Sequence, residues 1–197
     1  ALSAVRIDTL PTAGTLTLSG TAVTAGQVIT TADLAASQLV FTPAANANGT
    51  GYARVAFSVR DSTSLYDPTP NTLTVNVTAV NDRPTDLSLS ANMVAENAAN
   101  GTVVGTVSGT DPDAGDTKSY SLTNTAGGRF AINRTTGALT VANSTLLNYE
   151  AATSHAVTVR VTDRGGLTYD ETFTINLTNV NEAPSGTNAT VTITEDT

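Results

Sequence analysis

The stretch TDPDAGD places Asp111, Asp113 and Asp116 within six consecutive residues. Carboxylates at that density are hard oxygen donors, the ligands that calcium takes. Asp111 and Asp113 stand two residues apart, so on an extended turn both can face one ion. Pro112 between them fixes one φ angle and stiffens the turn. Asp116 reads as a turn residue. Further acids fall in short, separate stretches: Glu96 in AEN, Glu150 in LNYE, Asp163 in VTDRGG and Glu182 in VNEAP. These positions are expected at turns and strand ends, not along strand faces. Calcium needs about six to eight oxygens, and one short motif of a β-protein does not supply them. Several loops at one pole must therefore contribute. An EF-hand is excluded, because the twelfth residue counted from Asp111 is Leu122 and no helices flank the stretch.

Other chemistry finds little support. His155 is the one histidine, at the start of an expected strand with no nucleophile pattern beside it. Without cysteine there is no disulfide scaffold, thiol nucleophile or cysteine-zinc cluster. No serine-hydrolase elbow and no phosphate loop occurs. Paired carboxylates also serve glycoside hydrolysis, but Tyr52, Tyr66, Tyr120, Tyr149 and Tyr169 are scattered and line no cleft. The chain reads as a non-enzyme. A net charge of -8 opposes nucleic acid and acidic membrane surfaces. It suits a soluble exported protein, or one whose carboxylates hold cations.

The elements that must position these acids are strands. The composition, rich in Thr, Ala, Val and Asn and poor in aromatics at 5%, favours short strands and turns over a helix bundle. NTLTVNVTAVNDRP ends at Pro84 and ETFTINLTNVNEAP ends at Pro184. Leu73, Val75 and Val77 are answered by Phe173, Ile175 and Leu177, with polar residues between, which is the alternation of a half-buried strand. Upstream, RVAFSVRD (54–61) matches AVTVRVTD (156–163). A period near 100 residues means tandem domains. The expected fold is all-β, with two tandem Greek-key, immunoglobulin-like β-sandwiches, about seven strands each. Strands are expected near 93–95, 102–108, 118–122, 129–132, 138–141, 155–162 and 168–179. A single helical turn is expected in TTADLAA (30–36), capped by Thr30 or Thr31.

The boundaries read as 1–80 for a divergent first repeat lacking its first strand, and 81–84 for a linker. The second repeat covers 85–182. Residues 183–197 read as a further linker and the first strand of a next repeat. The tail NATVTITEDT (188–197) resembles the strand that the first repeat lacks. Homo-association through residues 187–197, by pairing with an open sheet edge on a neighbour, is one expectation.

AEN, DPDAGD, LNYE, VTDRGG and NVNEAP occur in that order within one 100-residue unit. That set resembles a cadherin repeat, of the bacterial type found in very large (RTX-type) surface adhesins. The first repeat resembles a divergent cadherin-like repeat of the same proteins. The resemblance implies calcium between successive domains. The linker would supply Asn81, Asp82 and the backbone around Arg83, joined by Asp111, Asp113 and Asp163. At the far pole Glu96, Glu150, Asn181 and Glu182 would face the next repeat. Ala79 and Asn179 stand where the family has Asp, and Asn148 replaces another Asp, so a full ion complement is not expected. The implied function is a calcium-binding extender of a cell-surface protein, its partners being neighbouring repeats of the same chain. The rival is a module that binds a polysaccharide, a cell-surface protein or its own kind directly.

Overall fold

The computed structural model describes residues 1–184, 186, 188–192 and 195. The chain divides into two compact units, Ala1–Asp82 and Arg83–Thr197. Between them, residues 78–85 form no strand or helix.

The first unit contains β1 (Leu2–Ile7), β2 (Thr15–Leu18), β3 (Thr21–Ala22), β4 (Val28–Thr30), α1 (Thr31–Ala35), β5 (Leu39–Thr42), β6 (Gly49–Asp61) and β7 (Asn71–Val77). One sheet has the order β4-β1-β6-β7 and the other β3-β2-β5. The helical turn forms where the sequence predicts it. Thr30 caps it, its hydroxyl accepting from the Asp33 amide while the Asp33 carboxylate accepts from the Thr30 amide. The core is small: Ile7, Val23, Ile29 and Val55 are buried, with Leu16, Leu39 and Phe57 packed partly against them.

The second unit contains β8 (Asp86–Leu89), β9 (Met93–Ala95), β10 (Val103–Thr110), β11 (Ser119–Asn124), β12 (Phe130–Ile132), β13 (Ala138–Val141), β14 (Ser154–Thr162) and β15 (Thr168–Thr178). Its sheets run β12-β13-β10-β8 and β11-β14-β15-β9. All-β sandwiches are thus the fold of this chain. Seven of the eight strands here fall where alternation predicts them; β8 was not foreseen. Along β14 the pattern is simple, with Val157, Val159 and Val161 all fully buried and the intervening residues turned outward. Val157 closes against Phe130, Leu139, Leu147 and Ile175, while Val159 and Val161 close against Leu87 and Val107. Each such side chain contributes about 1.5–3 kcal/mol relative to exposure.

Of the tail strand expected over 188–197, Ile193, Thr194, Asp196 and Thr197 lie outside the described residues, as does Thr187 just before it. The described residues 188–192 are not in a strand.

Candidate metal centres

Strand register decides where the acids of the second unit go. Thr162, one residue before Asp163, pairs with both Ser119 and Thr168. Thr178 pairs with Ala95, one residue before Glu96, and Ser154 pairs with Asn176. The Asp111, Asp116 and Asp163 loops therefore share one end of this sandwich, and Glu96, Glu150 and Glu182 share the other. The nine residues of β14 separate them, roughly 25–30 Å at strand rise.

At the first end, single carboxylate oxygens of Asp111, Asp116 and Asp163 lie within 4.8 Å of one another. Each aspartate is fixed by backbone. Asp111 Oδ1 accepts from the Asp113 amide at 2.8 Å, closing a small turn around Pro112. Asp163, 6% exposed, accepts from the Leu167 amide at 2.8 Å and holds the RGGL turn. Asp116 accepts from its neighbour Thr117 at 2.8 Å and from the Arg164 amide at 3.1 Å, which ties the two loops together. The exception is Asp111 Oδ2, buried and without a hydrogen-bond partner. A buried, unpartnered carboxylate oxygen costs free energy unless something cationic meets it.

At the second end, one oxygen each of Glu96, Glu150 and Glu182 falls within the same 4.8 Å. Glu96 is 1% exposed. Its Oε2 accepts from the Tyr149 amide at 2.7 Å and its Oε1 from the Val180 amide at 2.8 Å. These two amides, Tyr149 first, hold its carboxyl below the ordinary range against the opposite pull of burial. Glu96 is thus a buried anion. Glu150 and Glu182 are exposed and each is oriented by an amide side chain. Asn179 donates to Glu150 at 2.8 Å, and Asn97 donates to Glu182 at 2.5 Å. Asn148 accepts from the Ala151 amide at 2.6 Å and shapes the Glu150 turn.

The remaining sequence candidates lie outside these two groups. Asp113 is partly buried beside Asp111. Asn181 is exposed next to Glu182. Asn81 and Asp82 end the first unit, where the Asn81 amide donates to the Asp82 carbonyl at 3.4 Å. Sequence reasoning missed three contributors. Asp116 read as a turn residue, and it is one, but it also joins the carboxylate trio. Asn97 carried no signal and Asn179 read only as a departure from the family's Asp, because an orienting amide is recognisable only once its carboxylate stands beside it.

Both trios are all-oxygen donor sets with like charges at close range. Such charges repel strongly in a partly buried setting unless a proton or a cation intervenes. The donor chemistry fits a hard divalent cation.

A family model, that of the cadherin domain, matches residues 91–194. The chain is 34% identical over 116 residues to human cadherin-related family member 2, which covers 56% of this chain and 9% of that protein. It is 30% identical over 116 residues to cadherin-4 of Caenorhabditis elegans, 57% of this chain and 3% of that one. The chain thus spans less than a tenth of either relative. Among solved structures, EC1-2 of human mucin-like protocadherin superposes with a TM-score of 0.55 at 17% identity, over 89% of this chain and 84% of that one. Cadherin domains are extracellular adhesion modules, not enzymes. As the family model spans more than half of the 197 residues and the same span carries both trios, this chain belongs to the cadherin family.

Proposed function

We propose that the chain is a calcium-binding extender of a large, repetitive cell-surface protein, and that each end of the second unit holds calcium. One observation carries this reading. Two carboxylate trios close at opposite ends of a single repeat, and the first leaves Asp111 Oδ2 buried without a partner. Asp111, Asp116 and Asp163 would hold one ion, with Asp113 beside them; Glu96, Glu150 and Glu182 would hold another, with Asn181 adjacent. Calcium supplies positive charge that cancels the repulsion within each trio and ties separate loops to one point. In a repetitive rod that tie stiffens the repeat ends. For Asn81 and Asp82 the assignment rests on the family's linker pattern alone.

The setting we infer is a bacterial RTX-type surface adhesin, with roles in adhesion and biofilm. It rests on the motif order and on the neighbouring divergent repeat. Polysaccharide and cell-surface proteins are the targets that such a setting implies.

Calorimetric titration of the chelator-treated chain with calcium tests the core of the proposal. The expected affinity is that of extracellular modules, Kd roughly 10⁻⁴–10⁻³ M. Asp111→Asn should abolish the event at its end and leave the other. Asp82→Asn should weaken binding if the linker contributes. Absence of calcium heat, or an unchanged isotherm in Asp111→Asn, overturns the reading at that end.

A further inference from the structure

We propose that Asn48 is a self-modifying position: its side-chain amide is lost to attack by the Gly49 nitrogen, which leaves a carboxylate at one end of the first unit. The chain contains two Asn-Gly pairs, Asn48-Gly49 and Asn100-Gly101, and both sit in the same local sequence, Ala-Asn-Gly-Thr. Glycine suits the reaction because it has no side chain to screen its nitrogen and its backbone turns freely. Both asparagines are exposed, so neither sequence nor exposure separates them. Hydrogen bonding does. Asn100 Oδ1 accepts from the Ser144 amide at 2.7 Å, and the Gly101 amide donates to the Val141 carbonyl at 2.8 Å. Electrophile and nucleophile are both held there. Among the described residues nothing hydrogen-bonds the Asn48 side chain. Gly49 is the first residue of β6, and the register shifts between it and Ala53. Its φ is +139°, and a Cβ there would meet nothing within 4 Å. The anchors of the preceding loop stop short of Asn48. The Ala44 amide donates to the Tyr52 hydroxyl at 3.0 Å, and the Ala47 amide to the Ala44 carbonyl at 3.2 Å.

The step consumes only water. The Gly49 nitrogen gives up its proton and bonds to Asn48 Cγ, the Cγ–Nδ2 bond breaks, and ammonia leaves with a proton in exchange. A five-membered succinimide remains. Water then opens the ring at either carbonyl. One opening gives aspartate; the other gives isoaspartate, with the main chain running through the side chain. Nothing is oxidised or reduced, and the net charge of -8 becomes more negative by one. The reaction proceeds whether or not either carboxylate trio holds an ion.

Position 48 is where a new charge matters. RVAFSVRD (54–61) matches AVTVRVTD (156–163), and at the same interval Asn48 stands where Glu150 does. Each lies just ahead of the matching strand, β6 or β14. NDRP and NEAP likewise set Asp82 against Glu182. In the second unit those two glutamates bring single oxygens within 4.8 Å of each other. In the first, Asn48 and Asp82 line one cleft of about 370 Å³, built from residues 42–48, 77–80 and 82. Residues 1–82 contain no glutamate. The reaction thus gives the first unit the carboxylate that the second has by sequence. Charge at that end is set by the age of the chain.

The test is to age the full chain at body temperature in mildly alkaline buffer made with heavy-oxygen water, and to read its peptides by mass spectrometry. Position 48 should gain one heavy oxygen as its amide is lost, in a mixture of aspartate and isoaspartate. Isoaspartate marks the ring, because direct hydrolysis of the amide gives aspartate alone. Asn48 should convert about tenfold faster than Asn100 or more, since two hydrogen bonds must open at the latter. In concentrated urea the two rates should converge. Asn48→Gln forms a larger ring slowly, so its charge should stay constant on isoelectric focusing while the unmodified chain turns more acidic. Its melting temperature should match that of the fresh chain. Asn100 converting first, equal rates in the folded chain, or a difference that persists in urea each overturns the proposal. So does aspartate at position 48 without isoaspartate.

Discussion

A buried ionisable group reports its surroundings through pH, and the second unit offers two that titrate in separate windows. His155 lies on β14 opposite Ile175, partly buried, its ring 6.4 Å from that of Phe130 and its Nε2 without a partner. Burial first, and the charge of Arg129 second, hold its imidazole below the ordinary 6.5. The folded chain takes this proton less readily than the unfolded chain does. The contribution is therefore complete above about pH 6.5 and is lost as pH falls through the lower folded value. The melting temperature should fall between about pH 7 and pH 5, and His155→Gln should flatten that fall. Equal slopes in the two proteins would remove His155 from the account. Glu96 acts lower on the scale. Its carboxyl is held below 4.5, so its share persists above that value and disappears as pH drops through the folded value. Calcium should leave in the same direction, since protons and the ion compete for one oxygen set. At this scale the sequence is legible where residue type alone decides, as with the paired Asp111 and Asp113. It is silent where a distant loop decides. Nothing in AEN says that Glu96 will accept amides from Tyr149 and Val180, which lie 53 and 84 residues away.

Elements were legible in proportion to their alternation. Val157, Val159 and Val161 alternate with polar residues over a long strand, and β14 follows at once. The strand β8 has only four residues, DLSL, of which Leu87 alone is fully buried. Its pattern is too short to stand above a loop, and it forms because β10 pairs with it and the Leu87 amide donates to Glu171 at 3.1 Å. Turns set the register of these strands. Gly137, between β12 and β13, has φ +71°, and a Cβ there would stand 2.3 Å from the Val107 carbonyl oxygen. The first strains an L-residue, and the second cannot be met without backbone movement. Gly137→Ala should cost about 1–3 kcal/mol from the backbone conformation alone, more with the clash, as read by chemical denaturation. A neutral result would mean that β13 can shift against β10. Leu147 is a second fixed point. It is fully buried beneath the turn that carries Tyr149 and Glu150. Leu147→Ala should destabilise by about 2–5 kcal/mol and also weaken ion binding at the Glu96 end, because the loop would lose its anchor.

At the scale of the whole chain, the two units differ in what an ion can do for them. Both carboxylate trios fall in the second unit, and among the described residues the first has none. Calcium that binds only the folded form stabilises by mass action. At a free concentration ten to a hundred times Kd, each occupied end should gain about 1.4–2.7 kcal/mol. Scanning calorimetry should therefore resolve two transitions, and calcium should raise the one belonging to the second unit. The net charge of -8 offers a competing cause, since any salt relieves diffuse repulsion. The two causes separate cleanly. Screening by sodium chloride acts on both units and saturates with ionic strength, while site binding acts on one unit at millimolar calcium. Asp111→Asn combined with Glu96→Gln should erase the calcium response and leave the salt response in place. Transitions that move together in calcium, or a double variant that still responds, would mean that the trios are turn architecture. The ordering of this repeat would then come from its core alone.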